Sequence, residues 1–320
     1  MTNEKAFCRI PIKLIVKFTD NFPHDVYLKL SDTKIVKISH QNEPIKNAIV
    51  RYHKVKGVQD IYVTKKDYLK ILTDLKEKFK DKLFSPYITE KERMELLDKS
   101  YAMIKDSMIS IGMSEPVIEL SKKISQSCVR ILNESRNIFG LLKKFRGSCD
   151  EGFIRCIVIG YFCSGIMDNF DWKTESIKEK CALAAILCDI LLTAPQAKDI
   201  EIKSATLPLT VDTKNKITSH VKNTITALSV EKWISKESLT MIEQHHEEQD
   251  GSGLPYGVNH TNITQLSAIF IVSLRFTELL FQKSFDFKIK DEMLAQIRSK
   301  YNQGVFKKAI ISLNALLEKN

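Results

Sequence analysis

The hydrophobic period of this chain becomes helical throughout after about residue 85, and that change limits the fold more than any other feature. Before it, stretches in which apolar residues recur at every second position are interspersed with helical ones. In "CRIPIKLIVKF", Cys8, Ile10, Ile12, Leu14, Val16 and Phe18 share one side while Arg9, Lys13 and Lys17 share the other, which is the pattern of a half-buried strand. "DVYLKLSDTKIVKIS" reads as two strands around a Ser31–Asp32 turn. A short helix near 45–54 and a strand at 61–63 follow. Thr64 and Asp67 then open a helix whose face carries Leu69, Leu72, Leu75 and Phe79.

After "FSPYIT" the spacing is helical throughout. Thr89 and Glu92 make a capping box, and Ser114 with Pro116 opens a helix predicted to run to Phe145. Further helices are predicted near 151–168, 175–193, 213–229, 235–248, 263–282, 288–301 and 304–318. The expected fold class is α+β. It comprises a small basic α+β domain (1–84), a helical connector (85–147) and an all-α domain (148–320).

Charge follows the same division. Of the net charge of +10, residues 1–88 hold 18 Lys+Arg against 10 Asp+Glu. This basic character suits an anionic ligand or an acidic signalling partner as well as a plain lysine-coated surface. Few aromatics interleave with the lysines, which argues against a platform for nucleic acid. The seven cysteines form no CxxC pair, and no leader-like or bilayer-length apolar run is seen. The expectation is a reduced, cytoplasmic protein with no membrane span.

The chemistry concentrates in "QHHEEQDGSGLPYG", where His245 and His246 precede a turn rich in glycine. His220 lies in "KITSHVKN" and Asp189 in the apolar run "ALAAILCDILL". A carboxylate buried in such a run needs a partner. Three imidazoles and one carboxylate suit a single transition metal such as zinc, iron, manganese or nickel. Taken singly, His220 also reads as a surface histidine, and Asp189 as a cap or a lysine partner, with no metal at all.

The order of these pieces resembles the HD-GYP family, bacterial metal-dependent phosphodiesterases acting on cyclic di-GMP. That pattern places a histidine three residues before an arginine, then His-Asp-x-x-Lys on an apolar helix, then a lone histidine. His-His-Glu with Asp-Gly-x-Gly-Tyr-Pro comes next, and an aspartate in a last apolar helix closes it. Here "GFIRCIV" with Arg155, "AAILCDILL", "ITSHVKNTITAL", "HHEEQDGSGLPYG" and "IFIVSLRFTELL" with Glu278 follow that order over about 140–300. The departures are specific. The family's first histidine falls on Gly152, the histidine of the His-Asp pair on Cys188 and the lysine on Leu192. The motif tyrosine falls on Leu254, with Tyr256 nearby, and the late aspartate falls on Arg275.

The resemblance implies two metals, and all the lost ligands belong to one of them. Asp189, His220, His245 and His246 are the complete set for the other. It therefore implies at most one ion, with Arg275 supplying positive charge and pairing with Asp189. Arg275 and Tyr256 are the candidate phosphate contacts for cyclic di-GMP or a related nucleotide. The reading is a degenerate, regulatory member with weak or no phosphodiesterase activity. The alternatives are an active single-metal phosphohydrolase and an interaction scaffold.

Overall fold

The computed structural model describes residues 7–12, 22–31, 34–41, 57–85, 87–134, 140, 144–204, 209–229 and 232–318. The predicted helix near 45–54 lies outside the described residues, as do Leu14, Val16 and Phe18. The chain divides into two compact units, Met1–Ile88 with Ala102–Leu120, and Thr89–Tyr101 with Ser121–Asn320. The stretch 85–147 is thus shared between them.

The first unit carries a four-stranded antiparallel sheet in the order β1-β4-β2-β3. Strand β1 (Phe7–Pro11) pairs with β4 (Asp60–Thr64) from Phe7↔Thr64 to Pro11↔Asp60. Strand β2 (Val26–Ser31) pairs with β3 (Lys34–Ser39) and meets β4 at Tyr27↔Tyr62. Cys8, Ile10, Ile61 and Val63 are buried at alternate positions, as the period of two requires. Helix α1 (Lys65–Leu83) starts at Thr64, whose hydroxyl accepts the Asp67 N–H (3.2 Å) and donates to the Asp67 carboxylate (2.7 Å). It buries Tyr68, Leu72, Leu75 and Phe79 on one stripe. Helices α2 (Glu90–Ile111) and α3 (Glu115–Glu134) follow, the first behind the Thr89–Glu92 capping box. The predicted continuation of α3 to Phe145 runs partly through residues outside the described set.

The second unit is helical. Its centre is α4 (Glu151–Met167), buried on nearly every side and packed by α5 (Glu175–Leu187), α9 (Gln265–Gln282) and α11 (Gly304–Glu318). A helix apolar all round belongs inside a bundle. Helices α7 (Val211–Ser229), α8 (Lys236–Gln244) and α10 (Lys290–Lys300) complete the packing. Asp150, Thr174, Ser235 and Thr264 each cap a helix by accepting a backbone N–H from the residue three further on.

Two predicted features change. The helix expected over 175–193 stops at Leu187, and residues 188–192 turn instead, with Leu192 N–H donating to Asp189 O (2.9 Å). A further helix, α6 (Ala194–Ser204), begins just after that turn. Thr193 and Gln196 form its capping box, and Pro195 suits its first turn. Past residue 85, strand-like pairing among the described residues is limited to the isolated bridges Arg146↔Cys149 and Asp250↔Asn259. No described helix is long and apolar enough to cross a membrane.

Candidate metal centre

Two helix ends and one helix face bring four donors together. Asp189 follows the last turn of α5, and His220 lies on the buried face of α7 with Ile217, Val221 and Thr224. His245 is the C-cap of α8, and His246 opens the following loop. One donor atom from each of the four lies within 4.8 Å of the others. His220 Nε2 is 3.2 Å from His245 Nε2 and 3.3 Å from Asp189 Oδ1, and His245 Nε2 is 3.8 Å from the same oxygen. Donors bonded at about 2.0–2.2 Å to one ion stand roughly 3.0–3.6 Å apart for coordination angles near 90–110°. The His220–His245 and His220–Asp189 separations fall in that range, while the others, up to 4.8 Å, are wider, so a small inward shift of the side chains would close a coordination shell.

Protonation agrees. His245 Nδ1 is 2.6 Å from Ile242 O. A carbonyl only accepts, so Nδ1 carries the proton and Nε2 presents its lone pair to the cluster. His246 Nε2 is buried with no hydrogen-bond partner, an orphan that a cation would satisfy. Burial, with the neighbouring imidazole of His220, holds His245 down at about 4, and burial lowers His246 strongly and His220 in the same direction. Neutral imidazoles are the metal-binding form. A transition metal thus fits these residues.

The same shifts predict acid sensitivity of the chelator-treated protein. A base whose folded value lies below its ordinary 6.5 favours unfolding once protons are taken up. Its stabilisation is complete above about 6.5 and is lost as pH falls toward about 4. His245 alone should contribute about 3 kcal/mol to that loss. Urea unfolding at pH 7 and pH 4.5 measures it, and His245→Gln should flatten the slope. An unchanged slope in that variant would rule the assignment out.

The loop after the histidines is held by its own carboxylates. Glu247 accepts the Tyr256 N–H (2.8 Å) on one oxygen and the Val258 N–H (3.0 Å) on the other. Gly253 lies so close to the backbone of Glu247 and Glu248 that a Cβ there would collide with it. Gln249 Oε1 accepts the N–H groups of Asn302 (2.9 Å) and Gln303 (3.0 Å), tying the loop to the α10–α11 turn.

The remaining motif positions offer the cluster nothing. Gly152 has no side chain, and a Cβ there would lie 3.1 Å from the Tyr101 hydroxyl. Cys188 is buried with its thiol 3.6 Å from Ala185 O, and burial with the nearby Asp189 pushes the thiol well up. Leu192 packs with Ile200 and Ile217, and Leu254 joins the same apolar cluster. Arg155 faces Glu151 (3.5 Å) and lies over the Phe281 ring. Tyr256 is 53% exposed.

Two expectations for Asp189 and Arg275 are corrected. The Asp189 side chain is 38% exposed, and its partners are His220 and His245. It is not fully buried because α5 ends before it. Arg275 pairs not with Asp189 but with Glu278 at 2.9 Å and Glu248 at 3.5 Å. Glu278 is one helical turn along α9, so the nearer carboxylate captures the guanidinium. Glu248 also accepts from Lys300 (2.8 Å) and the Tyr301 hydroxyl (2.6 Å). Burial opposes the Arg275 charge, but Glu278, Tyr301 and Glu248 more than offset it. A phosphate would have to compete with two carboxylates already in place.

The sequence reading missed Glu248, Tyr301 and Tyr101. The doubled glutamate in "HHEEQDG" was a signal for the first. Tyr101, whose hydroxyl is raised by burial with Cys156, Asp150, Asp189 and Cys188 as neighbours, carried none.

The helical bundle, with three histidines and an aspartate gathered from α5, α7 and α8, has an HD-GYP-like fold. One solved structure with that fold is Bd1817, described as a HDG"Y"P protein from Bdellovibrio bacteriovorus. It aligns with a TM-score of 0.59 and 13% identity over 98% of this chain and 99% of that one. No protein-family model and no curated protein matches the chain.

Proposed function

We propose that this chain is a regulatory HD-GYP-type protein that holds one transition metal and binds cyclic di-GMP or a related nucleotide with little or no hydrolysis. One observation carries the reading. Asp189, His220, His245 and His246 converge, while Gly152 and Cys188 beside them present no free donor. A bound ion would polarise a phosphate ester and acidify a water. The chain's own residues then bind and orient. His245 is locked by Ile242 O with its lone pair inward. Leu192 and Leu254 line the surroundings with apolar surface where a cationic contact would assist phosphate transfer. Arg275 is held by Glu248 and Glu278 and adds no free charge.

The exposure of Asp189 favours a second reading, a working single-metal phosphohydrolase, since one side of the cluster faces solvent. A single experiment separates the two. Protein loaded with manganese or iron is incubated with cyclic di-GMP, and products are followed by chromatography while calorimetry follows binding. Binding is expected with turnover at least about 10²-fold below that of an HD-GYP protein with the full motif. Multiple turnover that disappears in His245→Ala would establish the hydrolase instead.

A further inference from the structure

Two grooves end at the donor cluster, and they differ in chemistry. One, of about 370 Å³, opens on His246 and is crossed by Arg275, Glu248, Glu278, Lys300 and Tyr301. Its cations and carboxylates are already cross-linked. The other, of about 420 Å³, lies between α6 and α7 and opens on His220, whose Nε2 is one of the converging donors. That volume falls within the roughly 300–1,000 Å³ of ordinary small-molecule sites.

The lining of the second groove specifies what fits. Leu191, Leu192, Pro195 and Ile200 give it apolar walls, and Ser219 and Asn223 add uncharged hydrogen-bonding groups. Its cation, Lys216, is matched by Asp199 (3.2 Å) and Asp212 (2.8 Å). The charges of its lining balance, and with Lys216 already paired the groove offers no unmatched cation to a second phosphate. Apolar walls with a neutral amide and hydroxyl suit a flat nitrogenous ring, whose faces are apolar and whose edge hydrogen-bonds.

We propose that the α6–α7 groove is the subsite for the uncharged base of a nucleotide whose phosphate lies at the Asp189–His220–His245–His246 cluster. This rests on the metal reading above and adds to it where the organic arm lies and of what class it is.

The test compares guanosine 5′-monophosphate with ribose 5-phosphate, which keeps the phosphate and lacks the base. Calorimetry is done on the full chain loaded with Mn²⁺, in the native form and in Asn223→Trp, which fills the groove from an exposed position. Gln282→Trp fills the other groove in the same way. The base should strengthen binding about tenfold or more, a step of about 1.4 kcal/mol. Asn223→Trp should bring the nucleotide down to the level of the sugar phosphate, with ribose 5-phosphate and Mn²⁺ affinities unchanged. Gln282→Trp should leave the preference intact. Equal affinities in the native chain, or a preference lost in Gln282→Trp but kept in Asn223→Trp, would overturn the groove assignment alone. Failure of the native chain to take up Mn²⁺ would overturn the metal reading and this one with it.

Discussion

His245→Ala is expected to abolish metal binding while leaving the helical content intact. His245 is fully buried, its tautomer is fixed by Ile242 O, and its Nε2 is within 4 Å of both His220 Nε2 and Asp189 Oδ1. Removing it deletes a donor and leaves the other imidazoles without the spacing an ion needs. Loss of an outer partner alone costs about 10–100-fold in metal affinity, so loss of a ligand should cost at least about 100-fold. The measurement is metal content per chain after purification without chelators. The native chain should carry up to one equivalent, His245→Ala none, and His40→Ala, altered at an exposed histidine, the native amount. Two equivalents in the native chain would defeat the single-ion reading.

Glu278→Ala should be the most destabilising of the surface-remote charge changes, at about 3–5 kcal/mol. It leaves the buried Arg275 guanidinium with Glu248 at 3.5 Å as its remaining close carboxylate. The double replacement Arg275→Met with Glu278→Met removes both charges and should recover most of that loss, because the cost lies in the stranded ion. Urea unfolding of the single and double variants measures the difference. A Glu278→Ala cost below about 1 kcal/mol would show that the guanidinium reaches solvent.

Local patterns told most about this chain where neighbours in sequence are neighbours in space. The Thr64–Asp67 and Thr89–Glu92 boxes and the alternation of Cys8 and Ile10 read directly into structure. The break after Leu187 did not, because a run such as "AILCDILL" is equally apolar in the helix and in the turn beyond it. The Thr193–Gln196 box marks the start of α6, but its Thr193 falls on the last residue of that overextended helix. Of the site, the four donors were legible from motif order. The Arg275 partners were harder, since Glu248 comes from a distant loop, and Tyr101 was invisible because its place beside Gly152 is set by tertiary packing alone.

The hold of Glu247 on the loop has a consequence for how such chains diverge. Its two oxygens grip backbone N–H groups on either side of Gly257, and backbone is indifferent to the side chain it carries. The letters at an exposed position such as Tyr256 are therefore free to drift. Adding or removing one residue between the histidines and Val258 would unhook one of the two grips. For this loop it is length, more than composition, that the carboxylate polices.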